Sequence, residues 1–117
     1  MRVLLTGAGG FVGPHALAAL RARGHVVTPV GSPRHPLPTG CVLDLTDADA
    51  TLRLIEQEAP DVVIHLAARS RPSGLEALGA LFDNNVRAAA SVLEATGRAV
   101  PRARVRSTAP SRPNGIP

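Results

Sequence analysis

A short apolar segment followed by closely spaced glycines is the feature that most constrains this chain of 117 residues. The apolar residues 3–5 lead almost directly into glycines at positions 7, 10 and 13. Apolar residues then recur at helical spacing, at positions 12, 16, 17 and 20. A buried strand, a tight glycine turn and the start of a helix form the layout of a βα unit that binds a dinucleotide.

The three glycines have different predicted roles in such a turn. Gly7 lets the backbone leave the strand through dihedral angles that are closed to most residues. Gly10 has no side chain, so a pyrophosphate can approach the backbone, and Gly13 lets the helix pack closely against the strand. The free N–H groups and the positive dipole end of the helix attract phosphates. We therefore expect the pyrophosphate beside Gly7, Gly10, Phe11 and Val12.

The same segment, RVLLTGAGGFVG, resembles the opening of the extended short-chain dehydrogenase/reductase family, the NAD(P)-dependent epimerases and dehydratases. The likeness continues through residues 61–68 (DVVIHLAA), 85–86 and 93–95. Among the members of the family, the chain is most similar to GDP-6-deoxy-mannose reductases and related sugar-nucleotide enzymes. The likeness covers about residues 1–105 and then ends.

This resemblance implies an α/β, Rossmann-like fold whose parallel sheet has the order 3-2-1-4, with helices on both faces and the C-terminal part truncated. It also implies that Asp44 with Leu45 contacts the adenine. For Thr46 and Asp47, which follow directly, we prefer a role in helix capping. The resemblance further implies that the backbone of Asn85 supports a proton-relay water near the active site.

The pattern along the chain predicts alternating strands and helices. The predicted strands are residues 2–6, 25–30, 41–43 and 61–66, and the predicted helices are residues 11–23, 48–58 and 75–96. Gly24 is expected to close the first helix. The strand over residues 61–66 ends at Ala67 and Ala68, where ligands bind in open α/β sheets, so we place these residues beside the nicotinamide ribose. We interpret His65, inside that strand, as a packed structural residue.

The end of the second strand bears on the choice of cofactor. An acid at that point binds the ribose hydroxyls of NAD, whereas small polar and basic residues suit the 2′-phosphate of NADP. Here the sequence is Gly31-Ser32-Pro33-Arg34, and no acid follows until Asp44. This favours NADP over NAD, with Ser32 and Arg34 as phosphate ligands. A solvated loop position for Arg34 remains the alternative.

Composition limits the other functions. The chain has one cysteine, Cys41, which excludes an intrachain disulfide and fits a reducing compartment. No apolar run approaches the ~20 residues that a membrane span requires. We therefore expect a cytoplasmic protein without a membrane partner. No cluster of His, Cys and Asp residues suggests a metal site.

The positive charge is concentrated at the C-terminal end. All 13 basic residues are Arg; residues 1–94 carry eight of them with nine acids, whereas residues 95–117 carry five and no acid. A basic tail is one sign of nucleic-acid binding. Because the tail has no aromatic residue to stack on bases, we do not prefer that function.

The resemblance ends where the catalytic part of the family begins. Members use a Tyr as acid/base, followed four residues later by a Lys, and this sequence contains neither residue type. We therefore assign no catalytic residue. Residues 1–105 are predicted to form an NAD(P)-binding half-domain. Residues 106–117 are predicted to be an irregular tail rich in Pro and Arg, because Arg106, Pro110 and Pro113 do not suit a buried strand.

The predicted function is the NAD(P)-binding portion of a sugar-nucleotide epimerase, dehydratase or reductase, without turnover on its own. The alternative is a non-catalytic nucleotide-binding or regulatory module. The abrupt change after Val105 favours a truncated or frame-shifted relative over a natural minimal module. The expected partners are the dinucleotide and, in the intact family, a nucleotide sugar. A homodimer through the helix over residues 75–96 is also expected, and the predicted apolar stripe of that helix is Leu78, Phe82, Val86, Ala89 and Leu93.

Overall fold

The computed structural model describes residues 1–38, 40–67 and 75–107. Its strands are β1 (Arg2–Thr6), β2 (Val26–Gly31), β3 (Cys41–Val42), β4 (Val62–His65) and β5 (Arg104–Ser107), and its helices are α1 (Gly13–Ala22), α2 (Ala48–Glu58) and α3 (Leu75–Ala99). The strands form one parallel sheet in the order β3-β2-β1-β4-β5. The predicted order 3-2-1-4 is confirmed, and β5 is added beside β4.

Alternation along β1 places its side chains in two separate clusters. Val3 and Leu5 pack on the side of α1, against Leu17. Leu4 packs on the opposite side, against Ile55 of α2. Leu5 and Ile55 have no exposed surface, and burying one such side chain contributes roughly 2 kcal/mol. Helices therefore cover both faces of the sheet, as predicted.

The start and the end of α1 have different causes. The helix begins at Gly13, two residues later than predicted, because residues 11 and 12 belong to the glycine turn. It ends at a glycine with a φ of 86°, Gly24, whose N–H donates to the carbonyl of Arg21 at 3.0 Å. The N–H of His25 donates to the carbonyl of Leu20 at 3.2 Å. This pair of bonds is a Schellman motif, and the predicted role of Gly24 is confirmed.

The strand β5 includes Arg106, a residue that was predicted not to suit a buried strand. It pairs with β4, from Val62 opposite Arg104 to His65 opposite Ser107. Only Val105 is half-buried, and the other three residues are exposed. Arginine is accepted there because an edge strand leaves most side chains in water. The strand runs two residues past the predicted boundary at residue 105, and residues 108–117 lie outside the described residues.

The buried face of α3 differs from the predicted apolar stripe. The buried residues are Ala88, Val92, Ala95 and Thr96, whereas Val86 and Leu93 are 50% and 57% exposed. Small side chains on the buried face suit the close packing of α3 against α2. Two of the three stripe positions with described side chains, Val86 and Leu93, therefore face away from the core. The side chains of Leu78 and Phe82 lie outside those described, and Ala89 is half-buried.

No helix in the described part of the chain is both long enough and apolar enough to cross a membrane.

Candidate functional site

The carboxyl ends of β1, β2 and β4 meet at one edge of the sheet, where the glycine turn begins. Gly7 has a φ of 70°, and a Cβ built on it would lie 2.6 Å from the backbone nitrogen of Ala67. The N–H of Ala8 donates to the carbonyl of Val30 at 3.1 Å. The turn is therefore hydrogen-bonded to the end of β2 and lies directly against the residues that follow β4. Both the positive φ and the close approach require glycine at position 7.

A buried hydrogen-bond network lies directly beneath this turn. The hydroxyl of Thr6 lies 2.8 Å from Nδ1 of His65, and both side chains are buried. The N–H of Ala67 donates to the same hydroxyl at 3.4 Å. Oγ1 of Thr6 therefore takes part in two hydrogen bonds, one with the ring of His65 and one with the backbone of Ala67.

Burial lowers the pKa of His65, since desolvation disfavours the charged ring. The predicted structural role of His65 is therefore confirmed. Sequence reasoning gave Thr6 no role, although a polar residue that ends an apolar strand was a detectable signal.

The start of α1 is packed tightly but has no capping side chain. A Cβ on Gly13 would collide with the carbonyl groups of Ala8 and Gly7, so this residue has the packing role that was predicted. The N-cap residue is Val12, and among the described residues no side chain caps this end. The first turn contains no acid and includes Pro14, which has no N–H. The positive end of this helix is thus not neutralised by a local carboxylate.

The three residues expected at the pyrophosphate after the first glycine line the open side of the turn. A Cβ on Gly10 would have Gly7 O, at 3.3 Å, as its one close neighbour among the described residues. Phe11 is 92% exposed and Val12 is 57% exposed. The ring of Phe11 makes an edge contact with His15, with 6.5 Å between ring centroids. The backbone here is accessible to a ligand, and the ligand contacts themselves remain predictions.

The loop that joins β2 to β3 carries the two residues predicted to bind a 2′-phosphate. The Ser32 hydroxyl accepts from the N–H of His35 at 3.1 Å, and the Ser32 carbonyl accepts from the same group at 3.0 Å. Arg34, between them, is exposed. The loop is not a loose segment, because Leu37 packs into the cluster on the side of α1.

The residues predicted at the adenine have structural contacts of their own. Asp44 accepts through Oδ1 from the N–H of Thr46 at 3.0 Å and from its hydroxyl at 2.7 Å. Leu45 is 8% exposed and packs in the core. The adenine contact of Asp44 with Leu45 stays a prediction. Asp47 caps α2 by accepting from the N–H of Ala50 at 3.1 Å, as predicted.

The capping role that we preferred for Thr46 is wrong. Its hydroxyl and its N–H both bind the preceding carboxylate, so it closes the turn that leads into the helix rather than the helix end itself.

The last two predicted site residues are Ala68 and Asn85. Ala68 lies outside the described residues. Asn85 is half-buried in α3, three residues before Ala88. The support of a proton-relay water by its backbone stays a prediction. In the described residues, no group of three or more His, Cys, Asp or Glu residues is arranged to hold a metal ion.

A sequence model of the NAD dependent epimerase/dehydratase family matches residues 3–110 of this chain. A curated relative, the 3-diazoavenalumate denitrifying reductase of a Streptomyces species, is 38% identical over 68 residues. That match covers 56% of this chain and 22% of the relative.

Solved structures of UDP-glucose 4-epimerases are similar to this fold. The Stenotrophomonas maltophila enzyme, with bound NAD and formylated UDP-arabinopyranose, is 28% identical with a TM-score of 0.74, and the match covers 85% of this chain and 34% of that one. The Bifidobacterium longum enzyme, in complex with NAD+ and UDP, has a TM-score of 0.81 at 19% identity and shows the shared fold, over 93% of this chain and 37% of that one. The chain thus spans about a third of the length of these structures.

Proposed function

This chain belongs to the NAD-dependent epimerase/dehydratase family, and on that premise we propose that it is the NAD(P)-binding portion of an enzyme that acts on a nucleotide sugar. The observation that carries the proposal is the glycine turn, which is hydrogen-bonded to the end of β2, lies directly against Ala67 after β4 and is open at Gly10. The dinucleotide, when bound in such a site, supplies the hydride chemistry of the family. The chain's own residues bind and orient it.

The pyrophosphate is proposed to lie against Gly10, Phe11 and Val12. A ligand can approach the backbone at Gly10, because a Cβ there would have one close neighbour in the described residues. The start of α1 offers N–H groups and a dipole end without a competing carboxylate, which suits an anion. The adenine is proposed to lie toward Asp44, and the nicotinamide ribose toward Ala67.

The cofactor is proposed to be NADP rather than NAD. The solved relatives include four UDP-glucose 4-epimerase structures with NAD. In this chain, however, no acid occurs between residues 26 and 43, where a carboxylate would bind the ribose hydroxyls. The loop supplies instead the hydroxyl of Ser32 and the exposed guanidinium of Arg34. Both groups suit a phosphate.

The 117 residues by themselves are proposed to bind the cofactor without turnover. They contain no Tyr and no Lys, so the Tyr and Lys pair of the family cannot come from this sequence. Nucleotide-sugar binding and hydride transfer are proposed for the longer family members, of which the chain matches about a third. Reduction of a nucleotide sugar by the purified chain would overturn this part of the proposal.

A fluorescence titration of the purified chain with NADPH and with NADH tests the binding proposal. The chain has no Trp or Tyr, so the signal of the reduced nicotinamide is observed against a dark protein. We expect saturable binding, tighter for NADPH. The variant Gly10→Glu should bind about 100-fold more weakly, because it places a carboxylate against the pyrophosphate. Tighter NADH binding would refute the cofactor choice, and binding of neither cofactor would refute the function.

A homodimer through α3 is proposed from two large apolar side chains that are exposed among the described side chains of this helix. Val86 and Leu93 are seven residues apart and therefore lie on the same side of the helix. Sedimentation velocity should show a dimer for the wild-type chain and a monomer for Leu93→Asp. The control is Glu94→Gln, an exposed position one residue further along. A monomeric wild-type chain at ~100 μM would refute the dimer.

A further inference from the structure

Gly9 is the one glycine of the turn to which the sequence pattern assigned no role, and it lies against the β2–β3 loop. A Cβ built on Gly9 would collide with the backbone carbonyl of His35. A Cβ on Gly31, at the end of β2, would lie 2.7 Å from the same carbonyl oxygen. Two glycines, Gly9 in the turn after β1 and Gly31 at the end of β2, thus leave room for a single carbonyl group. The loop rests on a surface that exists only because both side chains are absent.

The part of the loop held in this way is the turn from Ser32 to His35. Its N–H and hydroxyl contacts close the turn internally, because the N–H of His35 binds both the carbonyl and Oγ of Ser32. Since Oγ accepts one bond there, its own hydrogen is available to a ligand oxygen. Arg34 is exposed on the same turn. The position of both groups relative to the phosphate-binding turn is therefore set by how closely His35 approaches Gly9.

We propose that Gly9 is a specificity-determining residue that acts through the β2–β3 loop: by admitting the His35 carbonyl, it holds Ser32 and Arg34 where the 2′-phosphate of NADP is bound. Gly9 is a positioning residue, and it need not touch the cofactor. The proposal rests on the proposed function, since it concerns which dinucleotide the same site prefers. The two adjacent glycines then have different roles: Gly10 lets the pyrophosphate approach the backbone, and Gly9 determines the preference for the 2′-phosphate on the ribose.

The neighbouring glycines provide a matched pair of variants. Neither Gly9 nor Gly10 has a positive φ, so alanine introduces no backbone strain at either position. The two substitutions differ in what the new methyl group meets. In Gly9→Ala it meets backbone atoms of His35, which must move away, whereas in Gly10→Ala its close neighbour in the described residues is Gly7 O at 3.3 Å, a tight contact that requires a small shift of the glycine turn and not of the loop. Only the first variant should displace the loop.

The experiment measures two quantities in wild type and in both variants: the ratio of the NADH to the NADPH dissociation constant, and amide hydrogen exchange at His35 by NMR. We expect Gly9→Ala to lower the ratio about tenfold, which corresponds to the loss of one hydrogen bond to a charged group. Exchange at His35 should accelerate, because the turn loses its support. Gly10→Ala should weaken both cofactors by the same factor and leave that exchange unchanged.

A second variant keeps the test decisive if Gly9→Ala does not fold. Gly31→Ala displaces the same carbonyl from the side of β2, without altering the phosphate-binding turn, and should lower the ratio in the same direction. A wild-type chain that binds neither dinucleotide refutes the proposed function and this inference with it. A wild-type chain that binds, together with Gly9→Ala or Gly31→Ala variants that keep the wild-type ratio, refutes this inference alone.

Discussion

The two helices α1 and α2 begin in opposite ways. At α2 the carboxylate of Asp47 accepts from the N–H of Ala50, and Asp49 adds a second negative charge in the first turn. At α1 the N-cap residue is Val12, with no acid in the first turn and no side-chain cap among the described residues. The protein neutralises one helix end with its own carboxylates and leaves the other available. Both elements are α-helices with the same backbone geometry, so the two N-terminal ends differ in their charge and capping and not in their helical structure.

At the C-terminal ends of the same two helices, α1 is the one with the favourable cap and α2 the one without it. The α1 helix ends on Gly24, with a φ of 86°, which glycine adopts without a steric cost. The α2 helix ends on Ala59, whose φ of 43° makes it the one non-glycine residue with a positive φ in the described chain. Thus α1 is well closed at its end and open at its start, whereas α2 is capped at its start and strained at its end.

The largest expected effect is at the open start of α1. Gly13→Ala places a methyl group against the backbone carbonyls of Ala8 and Gly7, which cannot move aside as a flexible side chain would. We expect the free energy of unfolding, measured by urea denaturation, to fall by about 3 kcal/mol. The control is Gly97→Ala in α3, where a Cβ meets nothing within 4 Å in the described residues and should stabilise the chain by about 0.5 kcal/mol. Equal stability of Gly13→Ala and wild type would show that α1 does not pack this closely.

The next effect concerns the charge at that same helix end. Val12→Asp gives α1 the kind of residue that α2 already has, and we expect NADPH to bind about tenfold more weakly in a fluorescence titration. The stability of the free chain should change by only about 0.3 kcal/mol. Val12 has a helical backbone, with φ of −85° and ψ of −25°, whereas Asp47 is extended and can form the capping bond.

The neutral variant Val12→Asn separates charge from shape in this measurement. If Asp and Asn at position 12 bind NADPH equally, the open helix end does not hold the phosphates, and the contrast between the two helices has no functional meaning.

Local sequence patterns predicted the features that depend on neighbouring residues. The bounds of α2, Ala48–Glu58, were predicted to the residue, because Asp47 marks its start and Pro60 follows its end. The sheet order followed from the family resemblance. The buried face of α3 could not be predicted in this way, because an alanine-rich helix has two faces that are apolar enough for a core. The contact with α2 selects the face of Val92.

In the candidate site, too, some features were predicted from local sequence patterns and others depend on contacts between distant residues. Gly7 and Gly13 have the close backbone contacts that their spacing predicted. The importance of Gly9 could not be predicted, since it depends on His35, which is 26 positions away and reaches it only through the fold of the β2–β3 loop. Contacts across the sheet edge carry no periodic signal in the sequence.

A smaller effect is expected at the capped start of α2. Asp47→Ala removes the bond to the N–H of Ala50 and should lower the free energy of unfolding by about 1 kcal/mol. The affinity for NADPH should remain within about twofold, because this helix end is closed by the protein itself. The matched variant Asp49→Ala removes a charge without a described capping bond and should cost about 0.4 kcal/mol. Equal losses in the two variants would mean that the capping bond adds nothing to the charge.

The smallest effect is expected at the strained end of α2, where Ala59→Gly should stabilise the chain. Glycine relieves the left-handed backbone at φ 43° but has more freedom to lose on folding, so the net gain is about 0.5 kcal/mol. In a thermal melt this corresponds to an increase in Tm of about 3 °C. Gly24→Ala, the reverse change at the end of α1, should lower Tm, because alanine would have to adopt a φ of 86°. Opposite signs for the two variants would establish that the helices differ at this end by backbone strain. A loss of Tm in Ala59→Gly would show instead that the packing of Ala59 outweighs its strain.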